Sequence, residues 1–200
     1  MRNEPIKIIE HKGYKIKIYS DDDPSNPREF DNLGHMICFH RRYSLGDEHQ
    51  MTLDEARTFQ RRKDVISLNL YLYDHSGITM RASRSYEGNP FYGRLPQGHA
   101  EFDSGQVGFV YVTKDELRRE FNKKKITKKS VENAIEIMYG EVKTYDRYIR
   151  GDFVGYVIED CDGEERGSCW GYDDEDFMIE ECREIVNGWW KSCENDLIIL

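Results

Sequence analysis

Alternating apolar and polar residues mark several short strands along the chain. Residues 6–19 alternate on both sides of the tripeptide HKG at 11–13, which predicts a β-hairpin. Other apolar runs predict strands near residues 35–39, 66–73, 106–112 and 153–158. The last strand precedes the turn sequence DCDG at 160–163 and a second apolar run, so a further hairpin is predicted there.

Apolar residues at steps of three and four predict the helices. Thr52 and Thr113 each stand three residues before a glutamate, the form of a capping box, so a helix should begin after each. The first should run to about residue 63. A longer amphipathic helix is predicted from near Thr127 to Gly151, which suits a helix end. A last helix should begin at residues 173–174, with these residues on its inner face: Met178, Cys182, Ile185, Val186 and Trp189.

Strands and helices alternate along the chain without a repeated strand-helix-strand unit. We therefore predict an α+β fold, a single domain in which helices flank one central, mostly antiparallel sheet that includes the 153–158 strand. A short strand is predicted near 78–80. Residues 83–105 contain six glycines and prolines, which predicts a long loop.

The charge is concentrated at one end of the chain. The net charge is -9, but residues 159–200 contain 14 acidic and 3 basic residues, which leaves a nearly neutral remainder. The predicted hairpin and helix at about 153–200 thus form an acidic C-terminal portion. A basic island of five lysines lies at 123–129. Such asymmetry bears on partners and solubility.

The chain shows no apolar run long enough to span a membrane and no apolar segment typical of a secretory signal, so we expect a cytoplasmic protein. Its five cysteines are scattered without a C-x-x-C pair, which favours free thiols over a zinc ribbon or a disulfide framework. We expect no cofactor.

The stretch LYLYDHSGITM at 70–80 places an acid, an imidazole and a hydroxyl where a strand ends. Alternation along a strand points Asp74 and His75 to opposite faces, so they cannot pair with each other unless the turn intervenes. A functional His75 would need His40, Asp47 or Asp103 as its partner. A polar turn with an ordinary hydrogen-bonded histidine is the simpler interpretation.

Two further groups of residues are candidates for binding an anion or a metal. The stretch HRRY at 40–43 suits phosphate or carboxylate contact, although its arginines could also pair with Asp47 or Glu48 on the surface. His99, Glu101 and Asp103 are possible metal ligands, but a loop gives them no fixed spacing, so we predict no metal. If His40, Asp74, His75 and Asp103 meet around one concavity, a hydrolase or nucleic-acid-processing enzyme becomes possible. A histidine would then be its general base, with Asp103 as its orienter or a metal ligand.

Carboxylates along the last helix could imitate the phosphates of a nucleic acid. With the apolar residues inward, the outer face should carry these acidic side chains: Asp173, Asp174, Asp176, Glu180 and Glu184. Such an array would attract a basic, nucleic-acid-binding groove and repel nucleic acid itself. A negative surface that only maintains solubility is the simpler interpretation.

Several stretches together resemble one family of proteins. They are DNLGHMICFHRRYSLGD at 31–47, LYLYDHSGITM at 70–80, DSGQVGFVYVTKDELR at 103–118, EVKTYDRYIRGD at 141–152 and GSCWGY at 167–172. This family consists of small, largely uncharacterised proteins encoded by phages, plasmids and integrated elements of bacteria. The resemblance spans about residues 31–172 and leaves the acidic last helix outside it.

The resemblance implies an accessory role in a mobile element. Small acidic proteins in that setting are often counter-defence factors, of the anti-CRISPR or anti-restriction type. The resemblance thus favours a stoichiometric binder, whose partner would be a bacterial defence nuclease or its nucleic-acid-binding subunit. The enzyme remains the alternative.

Overall fold

The structure is a computed structural model, and it describes residues 4–94 and 98–197, with side chains described up to residue 190. The chain divides into two compact units. Unit 1 combines the described residues up to Ser25 with those from Gly151 onward, and unit 2 is the continuous segment Asn26–Arg150.

Both units consist of short strands and helices that follow one another along the chain. The strands are β1 (Lys7–His11), β2 (Tyr14–Ser20), β3 (His35–Cys38), β4 (Val65–Asp74), β5 (Ile78–Ser83), β6 (Ser104–Thr113), β7 (Val154–Glu159) and β8 (Glu165–Tyr172). The helices are α1 (Leu53–Gln60), α2 (His99–Asp103), α3 (Lys114–Glu120), α4 (Lys128–Arg150) and α5 (Glu175–Leu197). A 3-10 turn lies at Pro27–Glu29.

Unit 1 is an antiparallel sheet with one helix packed against a face. The strand order is β1-β2-β7-β8, and β2 pairs with β7 from Lys15↔Glu159 to Ser20↔Val154. Alternate residues of β2 and β7 meet α5 in a core that includes the fully buried Ile16, Ile18 and Ile158. The predicted inner face of α5 is confirmed, because its members lie in or against this core.

Unit 2 is a second antiparallel sheet, with strand order β3-β6-β4-β5 and α4 on one of its faces. The leucines at 68, 70 and 72 of β4 all point into the core that α4 covers. On the opposite face, α1 packs through the buried Ala56. The capping boxes at Thr52 and Thr113 are both present, so both predicted helix starts are confirmed.

The predicted α+β class with antiparallel pairing is confirmed, but the prediction of one central sheet is wrong. The 153–158 strand, which is β7, belongs to the sheet of unit 1. Its partner β2 lies more than a hundred residues earlier in the chain, and the local apolar pattern of a strand does not encode such a distant pairing. The sheet of the acidic portion at 153–200 therefore also contains the two strands of the N-terminal hairpin, β1 and β2. The single-domain count stays a prediction.

Three predicted boundaries differ from the structure. Helix α1 ends at Gln60 rather than near residue 63. Strand β5 runs to Ser83, because it pairs with β4 as far as Asn69↔Ser83. The predicted 83–105 loop is interrupted by α2, whose five residues include the buried Ala100.

Candidate functional site

Asp74 and His75, adjacent at the end of β4, contact different partners, which agrees with the opposite faces that strand alternation predicts. The Asp74 carboxylate accepts hydrogen bonds from the Arg42 guanidinium and, at 3.4 Å, from the Tyr43 hydroxyl. The chain then reverses through Ser76, whose φ of 59° lies in the left-handed region, and Gly77. Asp74 therefore hydrogen-bonds with the HRRY stretch, and Arg42 pairs with Asp74 rather than with Asp47 or Glu48.

His75 meets the third member of the predicted group. Its Nδ1 lies 2.9 Å from Oδ2 of Asp103, the last residue of α2. The His99 ring, one helical turn earlier, stands edge-on to the His75 ring with 4.9 Å between centroids. One ligand atom from each of these residues lies within 4.8 Å of the other two. The structure therefore brings two imidazoles and a carboxylate together at the protein surface.

His40 serves the fold of its own loop. Its ring stacks on Tyr43 with an interplanar angle of 11°, and its Nδ1 accepts the backbone N–H groups of Arg42 and Tyr43 at 3.3 Å each. An accepting Nδ1 places the proton of the neutral ring on Nε2. The cavity beside His40 is lined by residues 38–45 and 47–50 and includes neither His75 nor Asp103. The four predicted catalytic residues thus form two separate sets of contacts rather than one concavity.

A second histidine-carboxylate pair in unit 2 has nearly the same geometry as His75 and Asp103. His35 Nε2 lies 3.0 Å from Oε1 of Glu116, and the two side chains are 48% and 30% exposed. The values for His75 and Asp103 are 47% and 33%. Two such pairs with nearly equal geometry in one unit mean that the pair alone does not identify a catalytic centre. The neighbouring His99 distinguishes the His75 site.

An internal polar network in unit 2 was not predicted from the sequence. The Arg28 side chain, only 4% exposed, makes a two-bond contact with Asp47, so Asp47 is not a partner for His75. Glu141 of α4 accepts the backbone N–H groups of Leu33 and Gly34 at 2.6 and 3.0 Å. Burial raises the pKa of the Glu141 carboxyl, while those hydrogen bonds and Arg28 oppose the shift. This network connects the DNLGH stretch to α4 and is structural.

A cavity in unit 2 that is lined by charged residues of both signs was also not predicted. It has a volume of about 850 Å³ and lies between β5, the segment after it and α4. Three basic residues, Arg81, Arg94 and Lys143, and two acidic residues, Glu87 and Asp146, contribute to its lining. Only the tertiary packing of β5 against α4 brings these residues together.

Five acidic residues were predicted for the outer face of the last helix, and the structure shows how exposed each one is. Asp176, Glu180 and Glu184 are exposed on the outer face of α5. Asp173 and Asp174 are half-buried, and Asp174 caps the helix by accepting the Phe177 N–H at 3.1 Å. Of the five predicted carboxylates, the exposed ones are therefore Asp176, Glu180 and Glu184.

Within the described part of the chain, no helix is long and apolar enough to cross a membrane. Comparisons with protein-family models, curated proteins and solved structures found no match. The resemblance to mobile-element proteins stays a prediction.

Proposed function

We propose that the protein is a stoichiometric binder that docks the outer face of α5 on a basic surface of a bacterial defence protein. That partner is a nuclease or its nucleic-acid-binding subunit, met in the host cytoplasm. The observation that supports the proposal is the spacing of Asp176, Glu180 and Glu184 at steps of four along one exposed helix face. Steps of four rise about 6 Å each, so the three carboxylates span about 12 Å of the surface.

The same face also offers an apolar contact. Phe177 is 62% exposed and lies within about 100° of the three carboxylates around the helix. Within the described residues, no ion pair engages Asp176, Glu180 or Glu184. An exposed aromatic ring beside unpaired charges is typical of an interface, because the ring contributes affinity and the charges speed and orient the encounter. Direct binding to nucleic acid is not expected, since like charges repel.

The test is affinity capture from host cells with wild type and a triple charge reversal, D176K/E180K/E184K. Asp173 and Asp174 are left unchanged, because both are half-buried and Asp174 caps α5. The wild type should capture a nuclease or its nucleic-acid-binding subunit in stoichiometric amounts, and capture should weaken as salt rises. The triple variant should lose that partner.

The matched control reverses three exposed carboxylates of unit 2, D31K/E120K/E136K, which gives the same change in net charge elsewhere. This variant should keep the partner. Circular dichroism should show that both variants are folded. Equal capture by the wild type and the α5 variant at low salt would show that the acidic face is not the docking surface.

The second candidate function is a hydrolase or nucleic-acid-processing enzyme. The contact of 2.9 Å between His75 and Asp103 favours it, because a general base needs an orienting partner at hydrogen-bond distance. Activity against nucleotides and nucleic acids should then be lost in H75A and retained in H35A, which removes the comparable pair. H40A tests the predicted role of His40 in the same assay. Activity that H75A leaves intact excludes this site.

A further inference from the structure

We propose that His75, His99 and Asp103 form a binding site for a divalent transition-metal ion of the zinc class. This inference is independent of the proposed docking face, since the site lies in unit 2 and α5 in unit 1. It extends the second candidate function by naming a ligand for the site. A metal ion can bind there whether or not the protein is an enzyme.

The first support is the number and placement of the donor atoms. His99 and Asp103 lie four residues apart in α2, so both project from one side of the helix toward the turn that carries His75. The three candidate donor atoms lie within 4.8 Å of one another. Donors around one zinc ion lie about 2.0–2.2 Å from the metal. Small side-chain rotations would bring the three atoms to that distance from a common centre.

The second support is that packing holds the two parts of the site in place. On the β4 side, the His75 ring stacks against Tyr73, which contacts the buried Phe91. On the α2 side, Ala100 is buried, and its carbonyl accepts a hydrogen bond from the Ser104 hydroxyl. These contacts restrain the backbone on both sides before any ligand arrives, which reduces the ordering cost of binding.

The same segment ties the two sides together. Asn89 donates to the Ser104 hydroxyl oxygen at 2.9 Å, and its own Oδ1 accepts the Phe91 N–H at 3.0 Å. Phe91 therefore packs against the strand that leads to His75. Asn89, two residues earlier, is hydrogen-bonded to Ser104, which follows Asp103. His75 and α2 are held by one connected set of contacts.

The third support comes from the comparison with His35 and Glu116. That pair matches His75 and Asp103 in distance and exposure but lacks a third ligand. Among the residues that the structure describes, His75, His99 and Asp103 are the group of three or more histidine, cysteine or acidic side chains close enough to share an ion. The third donor is thus a property of this site and not of surface histidines in general.

The donor chemistry selects the class of metal. Two imidazole nitrogens and one carboxylate oxygen suit zinc and its neighbours cobalt, nickel and iron, whereas magnesium and calcium prefer oxygen donors. Three protein ligands leave at least one coordination position for water or a substrate atom. His75 and His99 are exposed, so that position is open to the solvent.

The experiment measures binding of Zn²⁺ and Co²⁺ to chelator-treated, full-length protein by calorimetry and by the visible absorption of Co²⁺. The exposed Cys161 and Cys169 are replaced by serine in every sample, so that these thiols do not compete for metal. One ion should bind per chain, and Mg²⁺ should not displace it.

Three variants and one control decide the assignment. H75A, H99A and D103N should each weaken binding by at least about tenfold, the smallest effect typical of losing even an outer partner of a metal site. H35A should bind like the parent, and circular dichroism should show every variant folded. Binding that survives H99A overturns the three-ligand site, as does an equal loss in H35A or the absence of stoichiometric binding in the parent. None of these results depends on whether α5 binds a partner.

Discussion

The Arg28 guanidinium donates to both carboxylate oxygens of Asp47, from Nε to Oδ1 at 2.7 Å and from Nη2 to Oδ2 at 3.0 Å. The same Asp47 Oδ2 accepts the backbone N–H of Met36 at 2.7 Å, which fixes the start of β3. Arg28 also donates to the Gly34 carbonyl. A single buried cation thus holds the segment before β3 and the loop after it in place.

Replacing Arg28 with glutamine should destabilise unit 2 by about 3 kcal/mol. This is the low end for breaking a buried ion pair, because Asp47 keeps 25% of its side chain exposed and regains some water. Urea unfolding followed by circular dichroism measures the change. R62Q is the control, since the Arg62–Asp64 pair is about half exposed, and its loss should change stability little. Equal effects in the two variants would contradict a structural role for Arg28.

Gly140→Ala should stabilise the protein by about 0.5–1 kcal/mol. Gly140 lies in the middle of α4, it is exposed, and nothing lies within 4 Å of the position that a Cβ would take. Alanine there removes the entropy cost of a helical glycine without creating a clash. Thermal unfolding measures the gain, and a lower melting temperature would show that the glycine has a role in α4.

Gly108→Ala is the opposite case and should destabilise the protein by about 1–3 kcal/mol. The added Cβ would collide with the Ile37 carbonyl oxygen, a backbone atom of the neighbouring strand that cannot rotate away. Strand β3 pairs with β6 through Cys38↔Gly108, so the damage should fall on that ladder. Hydrogen exchange should show lost protection in β3, and unchanged protection there would be evidence against this close approach.

The four cysteines whose side chains the structure describes should react in two classes. Cys38 and Cys182 are buried, and burial raises the pKa of each thiol from 9.0 to about 12. Each then forms about a thousandfold less thiolate at a given pH than an ordinary thiol. Native alkylation at pH about 8, read by peptide mass spectrometry, should label the exposed Cys161 and Cys169 first. Denaturant should equalise the four, and early labelling of Cys182 would mean that α5 detaches from its sheet.

Asp146 should give unit 2 a measurable pH dependence. Its carboxylate accepts the Met80 N–H at 2.6 Å, and burial raises its pKa above the ordinary 3.8 while Arg150 opposes the shift. A raised folded-state pKa means that the folded protein binds the proton more tightly than the unfolded chain. This contribution to stability is present below pH 3.8 and is lost as the pH rises through the folded-state value.

D146N removes that titration and keeps an oxygen that can accept the Met80 N–H. As the pH falls toward 3.8, the wild type should therefore gain stability relative to D146N. Urea unfolding of both proteins across that interval measures the difference. Two parallel curves would mean that Asp146 has the same proton affinity in the folded and unfolded states.

The sequence predicted local structure better than it predicted pairing. Alternation along β4 predicted that Asp74 and His75 do not pair with each other, which agrees with their different partners, and the capping boxes located two helix starts. Strand partners were predicted less well, because an apolar pattern marks a strand without stating which sheet it joins. His99 was weighed only as a loop residue. His99 and Asp103 are four residues apart, a spacing that places two side chains on one side of a helix. The five residues of α2 carry no clear helix signal in the sequence, so this relationship was not predicted.

The discontinuous make-up of unit 1 has a consequence for how the chain folds during synthesis. Residues 26–150 leave the ribosome as a continuous unit, with contacts that can all form before β7 exists. Strand β2 must wait for β7, its partner in the Lys15↔Glu159 register. Contacts between such distant residues form slowly, because a long intervening chain must first be ordered. Early folding of unit 2 would shorten that search, so the acidic face of α5 should form last. An arrested nascent chain should then display the site of His75, His99 and Asp103 without that face.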